Sequence, residues 1–448
     1  MSWDRCCVTK VRGRERTDDV HIADVIFAPG HGAFYYDDQA AIKAGAARDG
    51  YFYEGAPCTP GFRQIRMPAS TLGIGLVLSD CTVSWGDMMT VQYAAAGGRE
   101  PLFDRETLRD RLRAECVSDL LGLELVSFRG AVQRLLNGQA CGANLPNSAK
   151  YGLTQALLAA TAATKGCTMA ELVSHEYGFP LKARPVPILC QSGEDRQTNV
   201  DKMILREADA LPHGLINNSA LLGPEGVALC DYVRWVRDRV LTHGASNYRP
   251  MLHFDVYGGI GELFERDLER IVGFLCQLEA IAAPLTLRIE SPADFGSLDE
   301  QVSGFSEICR RLRDRGSTVQ LIADEWCNTL QDLEKFLAAE AADLVQLKMP
   351  DMGSLHDTII GIQKCRDAGV GVYLGGSCAE TDLSAKASVH IAVAAQVDVM
   401  LAKPGMGVDE GHMIVANEQA RLLAWLQLAT NSQAEVSPSS PQRSISSE

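Results

Sequence analysis

Lys348 ends a short apolar run, Val345-Gln346-Leu347-Lys348-Met349, that is stopped by Pro350. An ammonium buried without a partner is costly and usually gives up its proton, so the lysine is either a surface residue or a base. Three acids hold equivalent places upstream: Asp255 ends MLHFD, Glu290 ends LTLRIE, and Asp324 ends VQLIAD. Their separations, 290 − 255 = 35 and 324 − 290 = 34 residues, are nearly equal. Three converging carboxylates repel one another unless something positive sits among them. All-oxygen ligation suits a hard divalent ion, Mg2+ before Mn2+. Any one of these acids alone could equally cap a helix or form an ion pair; three in register favour the metal.

Strand pleating groups these residues further. Positions two apart share a face, which pairs Gln346 with Lys348, His253 with Asp255, and Arg288 with Glu290. A cation and desolvation near Lys348 both favour the neutral amine, the form that works as a base. His213, in LPHGLIN, lies one strand before the acids. An isolated histidine is more often structural, but this one faces the acids with the lysine beyond them. Gln191 closes PVPILCQ, Ser377 and Cys378 follow GVYLGG, and Lys403 follows VDVMLAK.

The elements that must position these residues are legible from about residue 184 onward. Eight short apolar strands alternate with helical patterns, such as Leu229, Val233, Val236 and Val240 between Pro224 and Gly244. Eight such units over about 240 residues suit an α/β protein with a (β/α)8 barrel, in which chemistry sits at the C-terminal strand ends. Residues 21–180 read as an α+β domain with a hairpin around Ser79 and Asp80, and 181–430 as the barrel. Residues 1–20 read as a loosely ordered extension, and the serine-rich 431–448 as a disordered tail. Two stretches of the first domain, DDQ at 37–39 and AAAGGREPLF at 94–103, are unusually polar or glycine-rich.

Net charge is 42 − 57 = −15, which opposes nonspecific binding to nucleic acid or anionic membrane. No apolar run approaches the roughly 20 residues of a membrane helix. The N-terminal residues lack the apolar core of a secretory signal, and Asp4 and Glu15 count against a transit peptide. Fourteen cysteines without a CxxC pair read as reduced, mostly buried thiols of a cytoplasmic protein.

An Asp/Glu/Asp triad on strands three to five, with a lysine on strand six, resembles the enolase superfamily. Within it the chain is similar to the methylaspartate ammonia-lyases. The strings that carry the likeness include FYYDDQAAIKAGA, VQYAAAGGREPLF, QSGEDR, LPHGLINN, HFDVYG, LRIESP, ADEWCNT, VQLKMPDMG, GGSCAET and AKPGMGVDEGHMIVANE, spread over about 22–428. The resemblance implies a capping domain on a (β/α)8 barrel, usually as a homodimer. It implies Mg2+ at Asp255, Glu290 and Asp324, activation by a monovalent cation such as K+, and reversible loss of ammonia from L-threo-3-methylaspartate to give mesaconate, a step in glutamate breakdown. Lys348 matches the base. His213 matches a residue on the opposite face that serves the other epimer or contacts the substrate, while Gln191, Gln346, Ser377 and Cys378 match substrate-binding positions. Ser377 stands where threonine is expected, and the two terminal extensions lie outside the family pattern.

Three other readings are weaker. Racemases, dehydratases and cycloisomerases of the superfamily often carry K-x-K on strand two, where this chain has LPHGLIN. A phosphate- or pyridoxal-phosphate-binding barrel with Lys348 as Schiff base gains nothing from three acids that would repel a phosphate. A binding protein without catalysis has no need of the full set of acids, base and glutamines.

Overall fold

The computed structural model describes residues 20–136 and 145–436. Residues 1–19 of the expected extension lie outside these. Of the serine-rich segment, residues 431–436 continue the helix Asp409–Val436, and the remainder lies outside the described residues.

The first part is built on a three-stranded antiparallel sheet in the order β1 (Ile22–Asp37), β4 (Arg66–Leu78), β5 (Val83–Met88). A small hairpin, β2 (Arg48–Asp49) with β3 (Phe52–Tyr53), lies between β1 and β4 in the chain. The β4–β5 hairpin turns at Ser79 and Asp80 as the sequence indicates. One face of the sheet packs on the helix Asn147–Lys165, whose middle is alanine, leucine and threonine and almost wholly buried. Close approach there depends on glycine. A Cβ on Gly86 would lie 2.1 Å from the Gly152 carbonyl oxygen of that helix.

The second part is a closed barrel of eight parallel strands in chain order. They are β6 (Ile188–Leu189), β7 (Ala210–His213), β8 (Met251–Asp255), β9 (Leu287–Glu290), β10 (Gln320–Ala323), β11 (Leu344–Lys348), β12 (Gly371–Gly375) and β13 (Val399–Leu401). The helix Val227–His243 buries Leu229, Val233, Val236 and Val240, the periodic residues of the sequence. Strand β7 is shorter than LPHGLIN suggests. His213, Gly214 and Leu215 have φ of 61°, 88° and 49°, and successive left-handed residues cannot continue a strand.

Among the described residues ten cysteines are free thiols, six of them buried, as expected of a reduced protein. Cys116 departs from that expectation, being disulfide-bonded. No helix among the described residues is long and apolar enough to cross a membrane.

Candidate active site

Parallel strands in a closed barrel bring their C-terminal residues to one rim. His213, Asp255, Glu290 and Lys348 are the last residues of β7, β8, β9 and β11, and Asp324 directly follows β10. Asp255 and Glu290 are register partners. Gln191, His213, Asp255, Gln346, Lys348, Ser377 and Cys378 all line one cavity at this mouth. Glu290 and Asp324 border it through Gln346 and Lys348, with which they form hydrogen bonds.

The donor set fits a divalent cation. One ligand atom each of His213, Asp255 and Glu290 can lie within 4.8 Å of one another, and all three residues are buried. Burial, with the charges of Glu325 and Asp324, pushes the Asp255 carboxyl well above the usual range. Burial, with Asp255 and Asp324, does the same to Glu290. Such acids are poised to ionise around a positive ion. Glu290 is oriented by His253, whose Nε2 lies 2.6 Å from Oε2, and by an N–H of Gln346. Asp324 is placed differently from its two companions. Its Oδ1 accepts from Arg99 Nη2 and its Oδ2 from Lys348 Nζ, at 2.8 and 2.7 Å. Those two cations hold it below the ordinary carboxylate range despite its burial.

For Lys348 the neutral amine expected beside a cation is not produced by burial alone. Burial and the Arg99 guanidinium push its pKa down, but Asp324, Asp351 and Glu325 outweigh them, and the value lies above that of an ordinary lysine. The neighbouring residues alone therefore keep it protonated. His213 is the opposite case. Burial and then Lys348 lower it to about 4, so the ring is neutral even though its Nε2 is 3.5 Å from Asp255 Oδ2.

On the far side of the cavity, hydrogen-bond directions are determined by counting. The Ser377 oxygen accepts from the backbone N–H groups of Gln92 and Ala379, at 2.9 and 3.2 Å. Both lone pairs are then occupied, and the hydroxyl proton is left to donate. Burial pushes the Cys378 thiol well up, so it remains S–H, 3.1 Å from Gln92 Oε1. Gln191 is anchored by Nε2 to the Gly405 carbonyl, 2.8 Å away. Gln346 directs one N–H to Glu290, and its Oε1 is buried without a partner in the structure.

Four lining residues, Val91, Gln92, Tyr93 and Arg99, come from the first part of the chain, where sequence reading assigned no chemistry. Arg99, from the flagged AAAGGREPLF loop, reaches Asp324 and Asp351 with its side chain 1% exposed. Gln92 joins Ser377 and Cys378 to the first domain. Both fall within VQYAAAGGREPLF, one of the strings of the family likeness, but by its residues alone that stretch showed only an odd glycine-rich composition. Lys403, seen in the sequence as another polar strand-end residue, is fully buried behind the cavity. There it pairs with Glu380 Oε1 at 3.0 Å, and Glu380 Oε2 accepts from Tyr151 at 2.6 Å. The same Glu380 Oε1 accepts the Ser377 N–H, so this group anchors the loop that carries Ser377 and Cys378.

Comparison with known proteins agrees with this geometry. Family models described as the methylaspartate ammonia-lyase N-terminus and C-terminus match residues 20–178 and 180–428. "Methylaspartate ammonia-lyase 2" of Carboxydothermus hydrogenoformans is 45% identical over 412 residues, 91% of this chain and 98% of that protein. The crystal structure of the Citrobacter amalonaticus methylaspartate ammonia lyase containing (2S,3S)-3-methylaspartic acid is 42% identical, with a TM-score of 0.88 over 91% of this chain and 100% of that one. The magnesium complex of beta-methylaspartase from Clostridium tetanomorphum is 41% identical, with a TM-score of 0.85 over the same shares. With both parts of the chain matched at this identity, and the acids, lysine and glutamines gathered at one barrel mouth, the chain belongs to the methylaspartate ammonia-lyase family.

Proposed function

We propose that the protein eliminates ammonia reversibly from L-threo-3-methylaspartate to give mesaconate. The observation that carries this reading is the convergence of Lys348, the buried acids and the hydroxyl and thiol donors on one cavity. The proton to be removed sits beside a carboxylate and is only weakly acidic. A divalent cation held by Asp255 and Glu290, with Asp324 or His213 completing the set, supplies positive charge to that carboxylate as it takes up the electron pair. Mg2+ is the first choice and Mn2+ a substitute, and K+ is the proposed monovalent activator.

Lys348 takes the proton. Its ammonium is held by Asp324, and that hold is what must weaken for the neutral base to form. The Ser377 hydroxyl, with its proton free to donate, holds a substrate carboxylate, and Gln191 and Gln346 border the same space. Cys378 acts as a neutral S–H and not as a nucleophile. His213, neutral and at the rim, contacts the substrate or takes the proton of the other epimer. Ammonia then leaves from the neighbouring carbon as the double bond forms.

The reading extends to a cytoplasmic homodimer acting in glutamate breakdown, with residues 21–180 as a cap on the barrel of 181–430. The family resemblance supports these points. The test is ultraviolet detection of mesaconate from purified protein with Mg2+, with aspartate and the erythro epimer run in parallel. Absence of mesaconate from the threo substrate would overturn the reading.

A further inference from the structure

His213 ends β7 at the rim, in a backbone conformation that few residues other than glycine adopt. φ is 61° at His213, 88° at Gly214 and 49° at Leu215, three left-handed residues in succession. A histidine or leucine held there is strained, because its Cβ crowds the following carbonyl, and it persists only where the surroundings over-determine it. Two backbone bonds fix the ends of the segment. The Pro212 carbonyl accepts from the Ser192 N–H at 2.8 Å, and the Ile216 N–H donates to the Asp255 carbonyl at 3.1 Å.

Between those points the grip comes from Arg196, the first residue of the helix Arg196–Leu205. Its Nε donates to the Gly214 carbonyl at 2.6 Å and its Nη2 to the Leu215 carbonyl at 2.7 Å. The planar guanidinium thus holds two consecutive peptide units at a fixed angle, which a single-point donor cannot do. Burial lowers the Arg196 pKa, with Tyr232 and Glu194 opposing, so the charge sits there at a cost that these two bonds must offset.

With this backbone the imidazole is directed into the mouth. Its Nε2 lies 3.5 Å from Asp255 Oδ2, and its ring stacks on His253 with centroids 6.1 Å apart. A return of φ to the ordinary negative region turns the Cα–Cβ bond relative to β7 and takes the ring out of that stack. Arg196 itself lines a separate cleft, together with Leu215 and Asn217.

We propose that Arg196 is a positioning residue: through the carbonyls of Gly214 and Leu215 it holds the His213 imidazole on its face of the substrate, and so sets how well the erythro epimer reacts. The inference rests on the lyase reading and goes beyond it, since it assigns the epimer range of the pocket to a residue outside the cavity.

The experiment measures mesaconate formation from the threo and erythro epimers separately, with the full-length protein and Mg2+. In Arg196→Met both bonds are lost, and kcat for the erythro epimer is expected to fall about a hundredfold, the scale for a reacting group displaced by about 1 Å. kcat for the threo epimer, which Lys348 serves, is expected to stay within about threefold of wild type. Arg196→Lys keeps the charge and one bond, and its erythro kcat should lie about tenfold below wild type. Equal falls for both epimers indicate general loosening and overturn the proposal, as does an unchanged erythro kcat in a folded Met variant. If the Met variant does not fold, the Lys variant decides: a fall of about tenfold confined to the erythro epimer supports the proposal, and no change overturns it. Wild-type protein that converts the threo epimer but not the erythro one overturns this inference alone. Wild-type protein inactive with the threo epimer sinks the lyase reading, and this inference with it.

Discussion

Lys348 shows how little a residue type says about its protonation. Position on an apolar strand suggests a neutral amine, but three acids within reach reverse the effect of burial and of Arg99. The lysine remains the one amine among the residues lining the cavity. Lys348→Ala should lower kcat by about 10^3-fold, the usual scale for a lost general base. Thermal unfolding should change little, because Arg99 still partners Asp324. A folded variant that keeps most of its activity would remove Lys348 from the mechanism. Arg99 carries a separate expectation. It bridges Asp324 and Asp351 while fully buried, so Arg99→Met leaves Asp351 without its ion-pair partner and Asp324 with Lys348 alone, and should cost about 3–5 kcal/mol in urea unfolding. A loss below about 1 kcal/mol would show that the site carries no such strain.

At the scale of elements, the cap depends on close packing between β5 and the helix Asn147–Lys165, and the barrel depends on helices that tolerate more. Glycine separates the two cases. Gly86 faces the carbonyl of Gly152 at a distance no Cβ can occupy, so Gly86→Ala should destabilise by about 1–3 kcal/mol through overpacking. Gly273 lies inside the helix Leu268–Ala282, and the nearest atom to its Cβ position is Arg315 Nη1 at 3.9 Å. There the same substitution should stabilise by about 1 kcal/mol, because alanine is the better helix former. Chemical denaturation of both variants checks the opposite signs; two changes of the same sign would refute the contrast. The barrel strands and helices are legible because alternating burial imposes a period on the sequence. The end of β7 is not, because positive φ at His213 and Leu215 leaves no hydrophobic signature.

For the whole molecule, the site exists only where the two parts meet. The barrel supplies the acids, lysine and strand-end glutamines. The first part supplies Arg99 and Gln92, fastened by Gln92 N–H to Ser377 and by Asn328 Nδ2 to the Gly97 carbonyl, at 2.9 and 2.8 Å. Asp255 and Glu290 are buried acids held far above their usual range, so occupation by a cation should stabilise the fold as well as the reaction. Exhaustive treatment with EDTA should abolish mesaconate formation and lower Tm. Mg2+ at about 100 times its Kd should restore both, adding about 2.7 kcal/mol of stability. Full activity after chelation, or a Tm indifferent to Mg2+, would remove the cation from the site.

The amino-acid sequence by itself determined the barrel, the order of its strands, and which strand ends carry acids, lysine and glutamine. These follow from local periodicity, and spacings of 35 and 34 residues carry the register from one strand to the next. Tertiary structure alone decided the pairings. Asp324 lies with Arg99 and Lys348 while His213 joins Asp255 and Glu290. It also brought Arg99, from 225 positions upstream, to Asp324, and Gln92, from 285 positions upstream, to Ser377. Contacts between residues so far apart in the chain leave no local pattern, and the charge and hydrogen-bond balance at each group depends on all its neighbours at once.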